Sequence, residues 1–353
     1  MTLNKTSAHC DFGRTVDPRQ EFTISFAERL VRFVALPRQN LPRLWQWCRD
    51  SLLRRCAALV RQAPGNGYLA WMLHGKRLLR LTLRHPRLLY KHLDAYAMSD
   101  LDPETRLRLV RGHYEYLRRV VEPEVLKRLA GSTLLLWKGE GGCSIRVGLP
   151  HKKAIEWEGE LCLTLWQHDL LLYHLVFIIV PDKVQGVTGT PCLLITAVQG
   201  RCGMEEVRSA TLACNDIQPA HLLVAALGGF AAGLGGLRLV GVGDARQMKP
   251  NCHPAFSYDR FFAHYSSGQA EAGLFQMDGV FADRLLFAKS PAHRKRTRKK
   301  RAYRLQLAQI VAYGTRGLLI ESGGTTRMHL VADSNDGIYK LCIDESPPAD
   351  VAA

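Results

Sequence analysis

The chain has 353 residues, of which 47% are hydrophobic and 23% are charged. Such a chain can bury a full hydrophobic core, which excludes an intrinsically disordered protein. The formal net charge of +16 favours an anionic partner, either a membrane surface with acidic lipids or a nucleic acid. None of the ten cysteines forms a CxxC pair or the tight spacing of a zinc site, so the sequence predicts no metal centre.

The basic charge is concentrated in two segments. Residues 30–93 contain thirteen Lys or Arg and one acidic residue, and residues 289–304 contain nine Lys or Arg and no acidic residue. One anionic surface that engages both segments explains this asymmetry more simply than two separate partners.

The N-terminal part predicts no membrane insertion. Residues 1–20 lack the apolar segment of a secretory signal, and no stretch approaches the roughly 20 apolar residues that cross a bilayer. We therefore expect residues 1–20 to be disordered and the protein to be cytoplasmic. Peripheral association with the inner membrane is a further expectation.

Residues 21–130 predict a helical basic region. Apolar residues recur at steps of three or four over residues 41–61, with arginines between them, and the segment also carries Trp45 and Trp47. This composition suits an anionic membrane interface, although a core-packing helix with a solvated basic face is an equal alternative. A later helix is predicted to begin with an Asp102 cap and Pro103 at its first position.

Residues 131–312 predict an α/β core. Short β-rich runs separated by turns indicate a mainly antiparallel sheet of sequential hairpins, and an apolar helix near Pro219 followed by a strand indicates a crossover. A basic C-terminal helix ends this core, and residues 313–353 form an appended tail. The fold class is therefore α+β, with a helical basic N-terminal region, a mixed and mainly antiparallel sheet with a crossover helix, and a basic C-terminal helix.

Eight landmarks occur in a characteristic order. They are HPRLLYKHL (85–93), RGHYEYL (111–117), EGELCLTL (158–165), AVQG (197–200), QPAHLLVAAL (218–227), GVGDARQ (241–247), YDRFF (258–262) and KKRAYR (299–304). Together they resemble the VirK/YbjX-like family of Gram-negative bacterial proteins over about residues 70–310. The resemblance implies a cytoplasmic or membrane-peripheral protein linked to virulence and envelope integrity, with no assigned biochemical activity. Gln218 and Ala220 flank Pro219 where the family pattern has a basic residue, which weakens a phosphate site at this helix N-terminus.

Three carboxylates at alternate positions, Glu156, Glu158 and Glu160, are the first candidate site. On a strand they would share one face, where Glu158 and Glu160 would act as a general base or bind a cation. The alternative is the solvated face of an edge strand. Glu160 is the stronger candidate, because it directly precedes an apolar run and is therefore expected to lie nearer the core.

His113 is the third candidate catalytic residue, because a histidine near a helix end can titrate near neutral pH and carry a proton. A helix C-terminal cation or a packing residue is the alternative.

Candidate ligand-binding residues are Gln199 and Gly200, which close a predicted strand, and Tyr258 and Asp259 of the YDRFF landmark. The order of strand, helix and strand is similar to that of acyl-coenzyme A transferases of the N-acetyltransferase fold, where strand backbone and helix N-terminus receive the cofactor. Acyl-coenzyme A is accordingly the candidate cofactor. A long insertion between Gly200 and the helix differs from that fold.

The second basic segment supplies candidate residues for an anionic surface. They are Arg294, Lys295, Arg296, Arg298, Lys299, Lys300 and Arg301. They suit the phosphates of lipid or nucleic acid, but no base-reading module surrounds them, so no sequence-specific nucleic-acid recognition is expected.

Three functions follow from these residues. The first is a membrane-peripheral accessory protein that supports envelope integrity, and the second is an acyltransferase-like enzyme that modifies an envelope component or a peptide. The third is a non-specific nucleic-acid binder. The sequence predicts neither the substrate nor the oligomeric state.

Overall fold

The computed structural model of the chain describes residues 68, 72, 78, 81–82, 85–150, 155–180, 191–248, 256–266, 272–277, 290–319, 326–332 and 339–345. The predicted disordered N-terminus and the predicted amphipathic helix at residues 41–61 lie outside the described residues. None of the helices in the described part of the chain is long and apolar enough to span a membrane.

Six α-helices lie in the described ranges. They are α1 (Pro103–Val120), α2 (Pro123–Leu129), α3 (Met204–Ala213), α4 (Pro219–Gly233), α5 (Tyr258–Ala263) and α6 (Pro291–Arg316). The predicted cap is confirmed, because the Asp102 carboxylate accepts the backbone N–H groups of Glu104 and Thr105, each at 2.9 Å.

The core is a seven-stranded sheet in sequence order. Its strands are β1 (Leu134–Lys138), β2 (Cys143–Gly148), β3 (Leu161–Gln167), β4 (Leu170–Val180), β5 (Cys192–Gly200), β6 (Arg238–Val242) and β7 (Leu274–Gln276). Strands β1 to β5 pair antiparallel in succession. The β5–β6 pair is parallel, and the connection between these two strands contains α3 and then the crossover helix α4. The predicted α+β fold with sequential hairpins and a crossover helix is confirmed.

Helix α4 is buried on nearly every side, because it packs between the sheet and α6. Side chains of its apolar run, such as Leu223 and Phe230, are buried in the main core together with Phe177 of β4. The Phe177 and Phe230 rings meet edge to face with their centroids 5.5 Å apart. A full hydrophobic core therefore holds α4 in place at the point where the chain crosses from β5 to β6.

Helix α6 continues to Arg316, beyond the sequence-based boundary at residue 312. Past this helix, β8 (Thr326–Ala332) and β9 (Tyr339–Glu345) pair antiparallel with each other. The segment that the sequence predicts as a tail thus contains a hairpin.

Candidate functional site

The hydrogen-bonded pairing between β5 and β6 stops before the end of β5. The parallel register runs from Cys192 opposite Arg238 to Ile195 opposite Gly241, whereas β5 continues to Gly200. On its other side, β5 stays paired with β4 as far as Gly200. Residues 196–200 therefore lie beside β4 but outside the register with β6, at the carboxyl end of the only parallel pair in the described sheet.

The Tyr258 hydroxyl of α5 contacts this part of β5. It accepts the Val198 N–H at 3.3 Å and lies 3.4 Å from the Val198 carbonyl oxygen. Burial raises the pKa of Tyr258 to about 12, with a contribution from the Glu158 carboxylate. The phenol is consequently protonated at neutral pH and takes the place that strand backbone would occupy.

Glu158 and Gln199 complete this cluster. The Gln199 side-chain amide lies 3.4 Å from both carboxylate oxygens of Glu158, and Gln199 also hydrogen-bonds the Tyr258 hydroxyl. Glu158 is only 5% exposed. The structure thus brings together three of the sequence-predicted residues, a carboxylate, an amide and a phenol, at the end of β5.

The predicted residue Asp259 positions α5. Its Oδ1 accepts the backbone N–H of Asp244 at 2.8 Å, while the Asp244 carboxylate accepts the Tyr258 N–H at 2.9 Å and the Ser257 hydroxyl at 2.6 Å. The GVGDARQ and YDRFF landmarks therefore cap each other, and this reciprocal contact fixes the direction of Tyr258.

Gly200, the last predicted ligand-binding residue, is exposed at the end of β5, opposite Tyr173 of β4. A Cβ atom at this position would lie 3.1 Å from the Tyr173 ring. The absence of a side chain at Gly200 therefore leaves room for the Tyr173 ring.

The prediction that the three glutamates alternate on one strand is wrong. Residues 155–158 form a turn and β3 begins at Leu161. A Cβ at Gly159 would lie 2.7 Å from the Val176 side chain, so the absence of a side chain lets this residue approach β4 closely. Glu158 and Glu160 consequently have different partners, and burial excludes the solvated face of an edge strand.

Glu160 lies in a second cluster, deep in the core. Its carboxylate accepts hydrogen bonds from the Lys91 ammonium at 2.9 Å and from the hydroxyls of Tyr96 at 2.5 Å and Tyr114 at 2.6 Å. The Lys91 ammonium also donates to the Gly159 carbonyl at 2.6 Å. Burial, then the Glu160 charge, raises the pKa of both tyrosines, while burial lowers the pKa of Lys91.

Glu156 is the outermost carboxylate of the trio and forms an ion pair with Arg87. Both side chains are partly exposed. The three carboxylates thus occupy three separate environments rather than one shared cation site. Within the described ranges, no group of three or more His, Cys, Asp or Glu residues is arranged to hold a metal ion.

His113 is fully buried beside the Glu160 cluster. Its Nδ1 accepts the backbone N–H of Ile179 at 3.0 Å, and its ring meets the Tyr114 ring edge to face at 4.9 Å. Burial lowers the pKa of His113 to about 4. The ring is therefore neutral at pH 7, and its observed contacts are those of a packing residue that links α1 to β4.

The predicted anionic-surface residues all lie on the first half of α6. Lys295, Arg298 and Lys299 are exposed, whereas Lys300 and Arg301 are partly buried toward the body of the protein. Arg296 binds the Asp216 carboxylate at 2.7 Å, which ties α6 to the loop before α4. The helix therefore presents both solvent-facing and inward-facing cations.

Sequence reasoning missed two functional-site residues, Lys91 and Asp244. Lys91 lies in the landmark HPRLLYKHL, where a lysine among apolar residues was the available signal. Asp244 lies in GVGDARQ, and its role required knowing that this landmark meets YDRFF in space.

The comparisons with known proteins give the family but no activity. No curated protein and no solved structure matches the chain. Residues 45–305, more than half of the chain, match the family described as "Protein of unknown function (DUF535)", the designation under which VirK/YbjX-like proteins are known. The chain therefore belongs to the DUF535 family.

Proposed function

We propose that the protein is an acyltransferase whose acyl donor lies along residues 196–200 of β5. The observation that carries this proposal is the early end of the β5–β6 pairing, with Glu158, Gln199 and Tyr258 gathered beside it. An extended ligand with amide groups is complementary to a strand edge, because it pairs with backbone N–H and C=O groups as an added strand does. The Tyr258 hydroxyl already contacts the Val198 N–H and C=O groups, so the ligand would pair with the edge on either side of Val198. The amide-bearing arm of acyl-coenzyme A has this chemistry.

The topology supports the same donor. A mainly antiparallel sheet with one parallel pair joined by a crossover helix is the arrangement that N-acetyltransferase folds use to receive acyl-coenzyme A. This is an analogy of topology, and the activity is argued from the side chains of the cluster.

In this proposal Glu158 acts as the general base and Tyr258 as the general acid. In the proposed step, an amine or hydroxyl of the acceptor attacks the thioester carbonyl, the new C–N or C–O bond forms and the C–S bond breaks. Glu158 takes the proton from the nucleophile, and the Tyr258 phenol donates a proton to the leaving thiolate. Gln199 bridges the two groups and holds the carboxylate in place.

The proposed class of acyl acceptor follows from the resemblance to VirK/YbjX-like proteins and not from the side chains of the cluster. We propose an amine or hydroxyl on an envelope component or a peptide, used by a cytoplasmic enzyme. This proposal would connect acyl transfer to the envelope-integrity role that VirK/YbjX-like proteins suggest.

Transfer assays test the proposal. Full-length protein is incubated with acetyl-, octanoyl- and palmitoyl-coenzyme A and a panel of amine acceptors, and mass spectrometry detects free coenzyme A and the acylated product. We expect Tyr258→Phe and Glu158→Gln each to lower kcat by on the order of 10²-fold or more, with similar donor affinity.

Tyr313→Phe on α6 is the matched control, because it removes a hydroxyl far along the chain from this cluster. Unfolding midpoints of all three variants establish that they are folded. Failure to detect transfer from any acyl donor, or equal rates for Tyr258→Phe and the unchanged protein, would overturn the proposal.

A second function is favoured by the charge of α6. We propose that the protein associates with the anionic inner face of the membrane through the exposed cations of this helix. Residues 291–316 contain no acidic residue, and Lys295, Arg298 and Lys299 project into solvent. Each cation near such a surface contributes about 1 kcal/mol, and the attraction falls as salt rises.

Vesicle sedimentation tests this association. We expect full-length protein to pellet at low salt with vesicles that contain phosphatidylglycerol and to stay in solution with phosphatidylcholine alone. The triple variant Lys295→Gln, Arg298→Gln, Lys299→Gln should lose most of this binding. Unchanged vesicle binding by the variant would contradict a role for α6. Tighter binding of the protein to DNA duplexes of any sequence than to these vesicles would favour the non-specific nucleic-acid binder instead.

A further inference from the structure

A pocket of about 450 Å³ lies between the start of α4 and the first half of α6. Its size is typical of sites for small molecules. Residues from three parts of the chain line it: the loop before α4 with the first turn of that helix, the two residues directly after α5, and one face of α6. None of these lining residues belongs to the Glu158, Gln199 and Tyr258 cluster.

The wall formed by α6 is strongly cationic. Lys300, Arg301 and Arg304 line the pocket, one turn apart or adjacent on the same helix. The one acidic residue among the described lining residues is Asp216, and its carboxylate binds Arg296 at 2.7 Å. This contact holds the pKa of Asp216 below its usual range, so the carboxylate stays ionised and paired. The pocket therefore keeps an excess of positive charge.

The opposite wall is the N-terminus of α4. Gln218 precedes the helix without a side-chain cap, and Pro219 occupies its first position. The N–H groups of Ala220 and His221 consequently have no acceptor within the helix, at the positive end of its dipole. Helix α4 brings no Lys or Arg to its first turn, but α6 supplies three such cations from the other side.

Three aromatic rings, those of His221, His264 and Tyr265, complete the lining near this turn. The His221 Nδ1 contacts the Tyr265 hydroxyl, and the His264 ring lies 5.3 Å from the His221 ring. Burial lowers the pKa of His221 to about 4, so its ring is neutral at pH 7. The pocket thus combines cations, backbone donors and flat rings, which suits an anion attached to an organic group.

We propose that this pocket binds the phosphate group of an organic phosphate, through Arg301, Arg304 and the first turn of α4. Arginine pairs well with phosphate because its planar guanidinium donates two parallel hydrogen bonds, and helix N-termini accept phosphate through free N–H groups. The inference concerns residues that the acyl-transfer cluster does not use, so it stands or falls separately from the proposed enzyme. The phosphate could come from a soluble phosphoester or from a lipid headgroup.

Binding measurements on full-length protein test the proposal. Calorimetric titrations use pyrophosphate and ADP as soluble probes, and sedimentation uses vesicles of phosphatidylcholine with phosphatidic acid as the lipid probe. We expect Arg301→Gln with Arg304→Gln to weaken binding by on the order of tenfold or more, because the phosphate loses the charge-assisted hydrogen bonds from both guanidinium groups.

Lys127→Gln with Arg128→Gln is the matched control, since it removes the same charge from the exposed face of α2, from residues that neither line the pocket nor belong to the membrane-binding cations of α6. Arg301→Lys with Arg304→Lys keeps the charge and should retain part of the affinity, which separates lost binding from lost folding. Selective loss with the soluble probes identifies a soluble phosphoester, and selective loss with vesicles alone identifies a headgroup. Equal losses in the two Gln variants, or no binding of any probe, would overturn the proposal.

Discussion

Glu160 is a buried carboxylate with an unusually complete set of partners. Lys91 neutralises its charge, and two tyrosine hydroxyls add one hydrogen bond to each carboxylate oxygen. A buried ion pair repays the cost of desolvation only when such additional hydrogen bonds are made. These contacts account for Glu160 as a structural anchor between β3, the segment around Lys91 and α1, whereas its catalytic role stays a prediction.

His113 predicts a pH dependence of folding stability. Its pKa falls from 6.5 to about 4 on folding, so the unfolded chain binds more protons than the native chain between these pH values. The stabilisation is complete above pH 6.5 and is lost as pH falls toward 4. We expect His113 to account for a loss of about 3 kcal/mol in the free energy of unfolding over this range, measured by urea titration at several pH values.

The variant His113→Gln isolates this effect. It removes the titration while keeping a side-chain acceptor for the Ile179 N–H, so its stability should fall less steeply between pH 6.5 and 4. His293→Gln, on the exposed start of α6, is the control and should keep the steep dependence. Identical pH profiles for the unchanged protein and His113→Gln would contradict this account.

The wrong placement of the three glutamates on one strand has a single physical cause. Alternation at Glu156, Glu158 and Glu160 resembles a strand, but the close approach of Gly159 to β4 moves the start of β3 to Leu161. Only tertiary contact reveals that Glu158 meets Gln199 while Glu160 meets Lys91, because their partners lie about 40 and 69 residues away. Burial of Glu160, in contrast, followed correctly from the apolar run after it.

Helices α4 and α6 pack closely because glycines face the contact. A Cβ at Gly229 would lie 2.2 Å from the Ala308 carbonyl oxygen, and one at Gly233 would lie 2.6 Å from the Thr315 side chain. Both glycines occur in the α4 sequence at a spacing of four, so they share one face of the helix. The absence of side chains there lets the second half of α6 pack against the C-terminal half of α4, whereas the pocket lies at the opposite end of α4.

Gly229→Ala tests this packing. The added methyl group meets backbone rather than a movable side chain, so the helices must separate, and we expect the free energy of unfolding to fall by about 1–3 kcal/mol. Gly314→Ala is the control on α6, because its Cβ would approach only the Leu136 carbonyl oxygen, at an ordinary 3.6 Å. Alanine favours helix there, so that variant should be as stable as the unchanged protein or more stable by up to about 1 kcal/mol. Equal unfolding midpoints for Gly229→Ala and the unchanged protein in urea would contradict the close contact.

Elements with strong local signals were predictable from the sequence. Strands β1 to β6, the Asp102 cap and the α4 crossover follow from periodicity and turn residues. The short strand β7 has too few residues for a periodic signal. The GVGDARQ and YDRFF landmarks meet only in the folded chain. The Asp244 carboxylate accepts the backbone N–H of Tyr258, which lies fourteen residues further along the sequence.

The basic surface and the proposed acyl-transfer residues lie on different elements of the structure. In the part of the chain that the structure describes, cations are concentrated on α6, whereas the carboxylate, amide and phenol of the proposed acyl-transfer site lie together at the end of β5. The net charge of +16 predicted an anionic partner from composition alone, but it could not distinguish outward-facing cations from those that line a pocket. That distinction required the docking of α6 on α4.

The most direct test of the central claim is backbone amide exchange of full-length protein with and without a non-hydrolysable acyl-coenzyme A analogue. The proposed donor site predicts slower exchange over residues 196–200 of β5, because the donor would pair with this edge. It also predicts little change across β1 to β3. Binding of the analogue without any protection at residues 196–200, or no binding at all, would contradict an acyl-donor site on β5.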